Sequence, residues 1–194
     1  MRVLVVWAHP LADSFSAALF HRVCTALEAA GHEVDRLDLY RAGFEACLSR
    51  AEREAYHDIA ADRTAVTGHI GRLQAAEGLV FVFPTWNFGA PAILKGWFER
   101  VLLPGVAFTV EGGTTRPGLR HIRRFACITT YGARRWVVKL VVGDPNRTVF
   151  MRGFRRLMPL SARATWLALY DMNSPDPARQ AAFLDRVGRS FATW

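Results

Sequence analysis

Residues 78–103, GLVFVFPTWNFGAPAILKGWFERVLL, constrain the fold more than any other stretch. Leu79-Val80-Phe81-Val82-Phe83 is a continuous run of bulky apolar residues of strand length, as expected for a strand buried on both faces. It stops at Pro84, which has no backbone donor to continue a ladder. Thr85-Trp86-Asn87-Phe88-Gly89 form a loop, and Pro91 opens an amphipathic helix over 90–103, where its missing N–H costs least. A buried strand, an aromatic loop and a helix in that order present a flat ligand at the strand ends of an open α/β sheet.

The rest of the chain repeats the alternation. Val3 to Trp7 is a continuous apolar strand. Residues 15–30 have helical spacing, with Ala18, Leu19, Val23 and Leu27 on one face and Gly31 as the stop. Val34, Leu37 and Leu39 alternate in a second strand over 33–39. Residues 40–62 are polar and partly helical, and 63–76 form a helix leading into the strand at 79–83. Residues 104–122, rich in Gly, Pro and Thr, read as an excursion loop. A fourth strand follows at 125–130, a helix at 147–158, a fifth strand at 164–170 and a closing helix at 176–191. Strands alternating with helices imply a parallel sheet covered on both faces. The expected architecture is one α/β domain over 1–194, a doubly wound sheet of five strands in the order 2-1-3-4-5. Ligands of such sheets sit outside the carboxyl ends of the strands, near the switch between strands 1 and 3.

Charge and composition narrow the function classes. The net charge is +8, and residues 116–163 hold twelve Lys or Arg against one acid, Asp144. A cationic half attracts phosphate-bearing partners or is a solvated basic face. No nucleic-acid motif accompanies it, so no nucleic acid is expected. No apolar run reaches spanning length, so no membrane insertion is expected. MRVLVVWAHP reads as a first core strand rather than a leader, because His9, Pro10 and Asp13 break the apolar run early. Cys24, Cys47 and Cys127 show no paired spacing, which fits a reducing, cytoplasmic setting. The six histidines fall at no metal-ligand spacing, so no metal is expected.

The expected topology requires the loops after strands 1, 3 and 4 to converge. The first, His9 through Ser16, runs straight into a helix. Ser14 and Ser16 there are either helix caps or phosphate ligands, Phe15 lies between them, and free N–H groups with the helix dipole favour an anion. In the second, Pro84 and Thr85 lead to Trp86 and Phe88 flanking Asn87, where the chain has left the core and can offer a stacking surface. The third is Thr129-Thr130-Tyr131-Gly132, whose glycine permits close backbone approach and whose N–H groups can face an electron-rich ring edge. A phosphate cradle, an aromatic slot and an N–H rim together describe a flavin site.

These residues resemble a known family. Phe83-Pro84, Phe88-Gly89 and the run Pro91-Ala92-Ile93-Leu94-Lys95-Gly96-Trp97-Phe98-Glu99-Arg100-Val101 are similar to the NAD(P)H:quinone oxidoreductases, flavin reductases of flavodoxin-like fold. His9 with Ser14-Phe15 resembles the family's phosphate loop, and Ile128-Thr129-Thr130 its loop beside the flavin N1–O2 edge. Gly105-Val106-Ala107-Phe108 and Gly118-Leu119 fit the segment between. The resemblance implies a flavin, FAD or FMN, and hydride transfer from NAD(P)H to a quinone or similar flat acceptor by a ping-pong mechanism. It implies that the backbone of Thr130, Tyr131 and Gly132 supports the N1–O2 edge. Tyr131, Arg134, Arg135 and Trp136 are then placed to meet the nicotinamide nucleotide or the acceptor. The Tyr and His that assist hydride transfer in the mammalian enzymes fall at Val137 and Gly143 here, so that relay is absent. Asn87-Phe88 is similar to the FMN azoreductases, which keeps azo and nitro compounds open as acceptors. A flavin-bearing regulatory subunit of a potassium-efflux system is a further alternative. The family also implies a homodimer, for which the apolar residues of 97–108 and 147–158 are the expected interface.

Overall fold

The computed structural model describes residues 1–174 and 176–194. Five parallel strands form one sheet: β1 (Arg2–Trp7), β2 (Glu33–Asp38), β3 (Gly78–Pro84), β6 (Arg124–Thr130) and β7 (Arg163–Leu169). Their spatial order is β2-β1-β3-β6-β7, the 2-1-3-4-5 arrangement of the sheet strands. β3 is buried along its whole length, as its unbroken apolar sequence requires.

Alternation along each strand sends side chains to two cores. Leu4, Val6, Leu79, Phe81, Phe83, Phe125 and Cys127 face one side. There they meet α3 (Thr67–Ala75), α4 (Ala92–Val101) and the helical stretch 145–157. Val3, Val5, Trp7, Val80, Val82, Ala126 and Ile128 face α1 (Phe15–Ala29) and α6 (Pro177–Phe191). Phe81 is the hub of the first core, with the rings of Trp97, Phe98, Phe125, Phe150 and Phe154 at 5.3–6.1 Å in edge-on packing. Phe44, Arg100 and Glu52 of α2 (Arg50–Glu54) close the outside of α4. Arg100 is 7% exposed, bonds Glu52 Oε1 at 2.6 Å, and donates to the Glu45 carbonyl.

Several sequence expectations are corrected. Residues 104–122 are not a plain loop. They contain an antiparallel hairpin, β4 (Phe108–Glu111) and β5 (Thr114–Pro117), turned by Gly112 and Gly113 at φ 55° and 76°. Two consecutive glycines in the left-handed region are the signature of a tight hairpin turn, and this signal was present in the sequence. The helix expected at 147–158 is three short pieces: α5 (Pro145–Thr148), a π-helical turn Val149–Gly153 and a 3₁₀ turn Phe154–Leu157. A further π-helical segment, Val137–Val141, was not foreseen. On α1, Ala17 rather than Ala18 is buried beside Leu19, Val23 and Leu27. Most of the apolar residues expected to form a dimer interface turn inward, while Val149, within the expected 147–158 stretch, is exposed. Trp97, Val101, Leu102, Leu103, Val106 and Ala107 are core, as are Phe150, Phe154 and Met158. On the 136–149 segment the exposed large apolar residues are Trp136, Leu140, Val141, Val142 and Val149.

Candidate active site

The sheet register brings three loops to one end. Trp7 lies opposite Val82, and Pro84 opposite Thr130. The loops after β1, β3 and β6 therefore leave from adjacent positions. The Ala8 N–H bonds the Val82 carbonyl at 3.1 Å, and the Thr85 N–H bonds the Thr130 carbonyl at 2.8 Å, so the ladder continues into the loops themselves.

In the first loop, Ser14 caps α1. Its hydroxyl accepts from the Ala17 N–H at 3.1 Å and donates to the Leu11 carbonyl at 2.8 Å. Ser16 is buried, and its hydroxyl accepts from Trp7 Nε1 at 3.0 Å. Both serine hydroxyls thus have structural work. The N–H groups of Phe15 and Ser16 have no acceptor among the described residues. They are the open donors of the helix start, where the dipole favours an anion. His9 Nδ1 accepts from the Leu11 N–H at 3.0 Å, which leaves Nε2 as the outward donor. The His9 ring lies 5.7 Å from that of Trp86, so the first and second loops touch.

The second loop is a reverse turn of unusual composition. Trp86 and Gly89 exchange both backbone bonds, at 3.0 and 2.9 Å. The two residues between them, Asn87 and Phe88, sit at φ 48° and 59°. A two-residue turn with both central residues left-handed ordinarily carries Asn-Gly. Asn87 is the normal choice at its position, so turn geometry accounts for it. Phe88 is not: a bulky side chain in this region is strained. Trp86 and Phe88 are 41% and 37% exposed. The turn spends backbone strain to hold two large aromatics in solvent at the sheet's ligand end.

The third loop departs in part from expectation. The Tyr131 N–H donates to the Leu169 carbonyl at 2.8 Å, extending the ladder to β7. It is therefore not a donor for a ligand's edge, and of the expected N–H rim Gly132 is the donor left open among the described residues. The Tyr131 ring is also not at the surface. It is 1% exposed, stacks on Tyr170 at 4.9 Å, and its hydroxyl donates to Asp144 Oδ1 at 2.7 Å. Burial, then the neighbouring Asp144, push its phenol well above the ordinary range. Gly132 packs against the Asn173 side chain: a Cβ there would stand 2.5 Å from Asn173 Oδ1, which would have to shift. Arg134, Arg135 and Trp136 are exposed beyond this loop.

Two residues that sequence reasoning missed tie the loops together. Asp144, 7% exposed, takes the left-handed φ of 48°, caps α5 by accepting from the Arg147 N–H, and holds Tyr131. Asn146, 3% exposed, donates from Nδ2 to Thr85 Oγ1 at 2.9 Å. Thr85 Oγ1 in turn lies 3.0 Å from Thr129 Oγ1, which is fully buried. One corner, Asp144-Pro145-Asn146, thus fixes both the second loop and the third. Asp before Pro at a helix start was readable as a cap. Nothing in the sequence pointed from Asn146 to Thr85, 61 residues away.

Cysteine chemistry does not enter this site. Cys127 is buried in the sheet and Cys24 in α1, and burial raises both thiols, that of Cys24 to about 12. No helix of the described residues is long and apolar enough to cross a membrane.

Known proteins share this fold. The family model of the flavodoxin-like fold matches residues 1–140. Over 162 residues the chain is 32% identical to NAD(P)H dehydrogenase (quinone) 1 of Rattus norvegicus, covering 75% of this chain and 59% of that one. The chain thus spans about three fifths of that relative's length. Over 186 residues it is 31% identical to ribosyldihydronicotinamide dehydrogenase (quinone) of Pongo abelii, covering 81% and 79% of the two chains. The NAD(P)H:quinone oxidoreductase structure from Methanothermobacter marburgensis superposes with a TM-score of 0.85 at 26% identity, over 99% of this chain and 98% of that one. Fold, strand order and family match agree, and the chain belongs to the flavodoxin-like family that contains the NAD(P)H:quinone oxidoreductases.

Proposed function

We propose that this chain is a flavin-dependent NAD(P)H oxidoreductase that passes two electrons as a hydride to a quinone or similar flat acceptor, the two substrates using one site in turn. The observation that carries this reading is the strained turn Trp86–Gly89. Exposed aromatics held at an energetic cost are retained where they meet something flat. Around it the donor set suits a flavin, FAD or FMN. The open Phe15 and Ser16 amides, with His9 Nε2 beside them and Ser14 holding the helix start, match the phosphate. Pro84, Thr85 and Asn87 would offer the turn's backbone to one ring edge, and Thr130 and Gly132, backed by the buried Thr129, would frame the opposite one.

A bound flavin supplies the redox chemistry. The chain's contribution is geometric and electrostatic. The open Gly132 N–H, next to the Tyr131 that Asp144 holds, would be the donor for negative charge on a flavin's ring edge. A preorganised donor of this kind contributes about 3 kcal/mol. Trp86 and Phe88 would flank a bound flavin and the flat substrates that alternate on it, which suits a ping-pong sequence. An open shelf of this kind accepts azo and nitro compounds as readily as quinones. The reading includes a homodimer, with the exposed Trp136, Leu140, Val141 and Val149 as its apolar contact; sedimentation of Leu140→Glu against wild type checks it.

The purified protein is expected to be yellow, to bleach with NADPH in the absence of oxygen, and to regain colour when a quinone is added. Colourless protein that takes up neither FMN nor FAD would sink the proposal. Bleaching without reoxidation by quinone, but with reoxidation by an azo dye, would move the acceptor class.

A further inference from the structure

Five arginines line one groove of about 570 Å³ between β7 and α6. Arg134 and Arg135 follow the Gly132 loop, and Arg179, Arg186 and Arg189 come from α6. All five are exposed. Among the described residues, only Arg179 has a carboxylate within ion-pair reach, Asp171 at 4.0 Å. Two also bond neutral acceptors: Arg179 Nη2 bonds the Tyr170 carbonyl at 2.9 Å, and Arg186 Nη2 bonds the Ala168 carbonyl at 3.3 Å. The Arg186 guanidinium also lies over the Phe183 ring at 4.7 Å. Such contacts fix a guanidinium in place without cancelling its charge. β7 is the edge of the sheet, so covering its carbonyls explains Arg179 and Arg186. It does not explain Arg134, Arg135 or Arg189. Five like charges around one concavity repel unless an anion joins them.

The groove opens beside the candidate site. Tyr170, on its wall, stacks on Tyr131, whose backbone carries the third loop. A molecule with one end at Trp86 and Gly132 can therefore lay an anionic end among the arginines. We propose that this groove seats the phosphate-bearing adenosine end of the pyridine nucleotide and selects NADPH over NADH, an inference that rests on the reading above that such a nucleotide is the donor. The guanidinium fork suits a phosphate monoester, which offers several acceptor oxygens to bidentate donors.

The test is direct binding to the full chain, with 2′,5′-ADP and 5′-AMP titrated calorimetrically at low salt. Wild type is expected to prefer 2′,5′-ADP by about tenfold or more, the scale of one strong phosphate contact. The double variant Arg135→Gln/Arg189→Gln, which keeps the backbone bonds of Arg179 and Arg186 intact, is expected to lose that preference. In flavin-loaded protein the same variant raises KM for NADPH toward that for NADH. Equal affinity of wild type for the two nucleotides, or undiminished preference in the double variant, overturns the proposal. The two readings fail separately. Arginine-dependent selectivity without NADPH oxidation supports the groove and removes the oxidoreductase. Turnover at equal KM for both nucleotides, with no selectivity, overturns the groove alone.

Discussion

The Tyr131 hydroxyl donates to Asp144 Oδ1 at 2.7 Å, with both residues buried and the second carboxylate oxygen of Asp144 free of any partner among the described residues. A buried carboxylate with one unsatisfied oxygen depends heavily on the bonds it does make. Tyr131 is one of two that Oδ1 has; the Arg147 N–H is the other, at 3.4 Å.

Tyr131→Phe should therefore destabilise the fold by about 1–3 kcal/mol, the value of a hydrogen bond to a charged group. For a chain of this size that is a loss of about 2–4 °C in Tm per kcal/mol, measurable by calorimetry. The pH dependence has a definite sign. The folded phenol holds its proton above the ordinary value of 10.0. Its stabilisation is complete below pH 10 and is lost as pH rises above that, because the unfolded chain ionises first. The slope is about 1.4 kcal/mol per pH unit for one tyrosine. Tyr40 and Tyr170 are also raised, so wild type declines steeply in alkali and Tyr131→Phe declines less steeply. An unchanged alkaline slope would show that the buried pair is not maintained in solution.

Asn146→Ala tests the second half of the same corner. It removes the donor to Thr85 Oγ1 and leaves Thr85 to Thr129 alone. A neutral bond of this kind contributes about 1 kcal/mol to stability. The larger effect is expected on the turn: amide hydrogen exchange at 85–89 should accelerate while β1 and α6 are unaffected. If flavin binds as proposed, its dissociation constant should rise about fivefold, matching a loss near 1 kcal/mol.

The contrast between these residues shows what a sequence discloses. β3 and α4 were legible because each repeats one local rule: an unbroken apolar run, and a helix opened by proline. The parallel sheet followed from alternation, and its order from the doubly wound pattern that five strands with short connections fit. The Gly112-Gly113 hairpin was legible and passed over, because composition rich in Gly, Pro and Thr suggests loop as readily as turn. Tyr131 was misplaced for a different reason. Its position after a strand suggested a surface role, while its actual partners, Leu169, Tyr170 and Asp144, lie 13 to 39 residues away and belong to elements whose docking no local pattern encodes. The same holds for Trp97, Leu102 and Val106, whose apolar character fits a core and an interface equally.

Glycine substitutions in two helices should have opposite effects. Gly71 of α3 is exposed, and a Cβ there meets nothing within 4 Å. Gly71→Ala should stabilise by about 0.5–1 kcal/mol through backbone entropy. Gly96 of α4 faces the backbone of Ala46, whose carbonyl a Cβ would overlap. Gly96→Ala should destabilise by about 1–3 kcal/mol despite the same gain in helix propensity. Denaturant midpoints of the two variants separate these outcomes, and a stabilised Gly96→Ala would mean that the 44–52 segment moves aside freely.

The turn at Trp86–Gly89 should trade stability against binding. Phe88 sits at φ 59°, where a bulky residue costs about 1–2 kcal/mol that glycine does not. Its ring is 37% exposed, so truncation sacrifices little core burial. Phe88→Gly should therefore raise Tm by a few degrees, whereas Asn87→Gly should change it little, since Asn tolerates the left-handed region. If the turn is a shelf for a flat ligand, Phe88→Gly should at the same time weaken binding of flavin or acceptor, and Asn87→Gly should not. That pairing, higher stability with lower affinity at one position, is the signature of strain kept for function. Two measurements on each variant decide it: the thermal midpoint of the apo chain and the flavin titration. A Phe88→Gly protein that is less stable and binds flavin as wild type would show that the ring serves the fold, and the turn would lose its claim as the centre of the site.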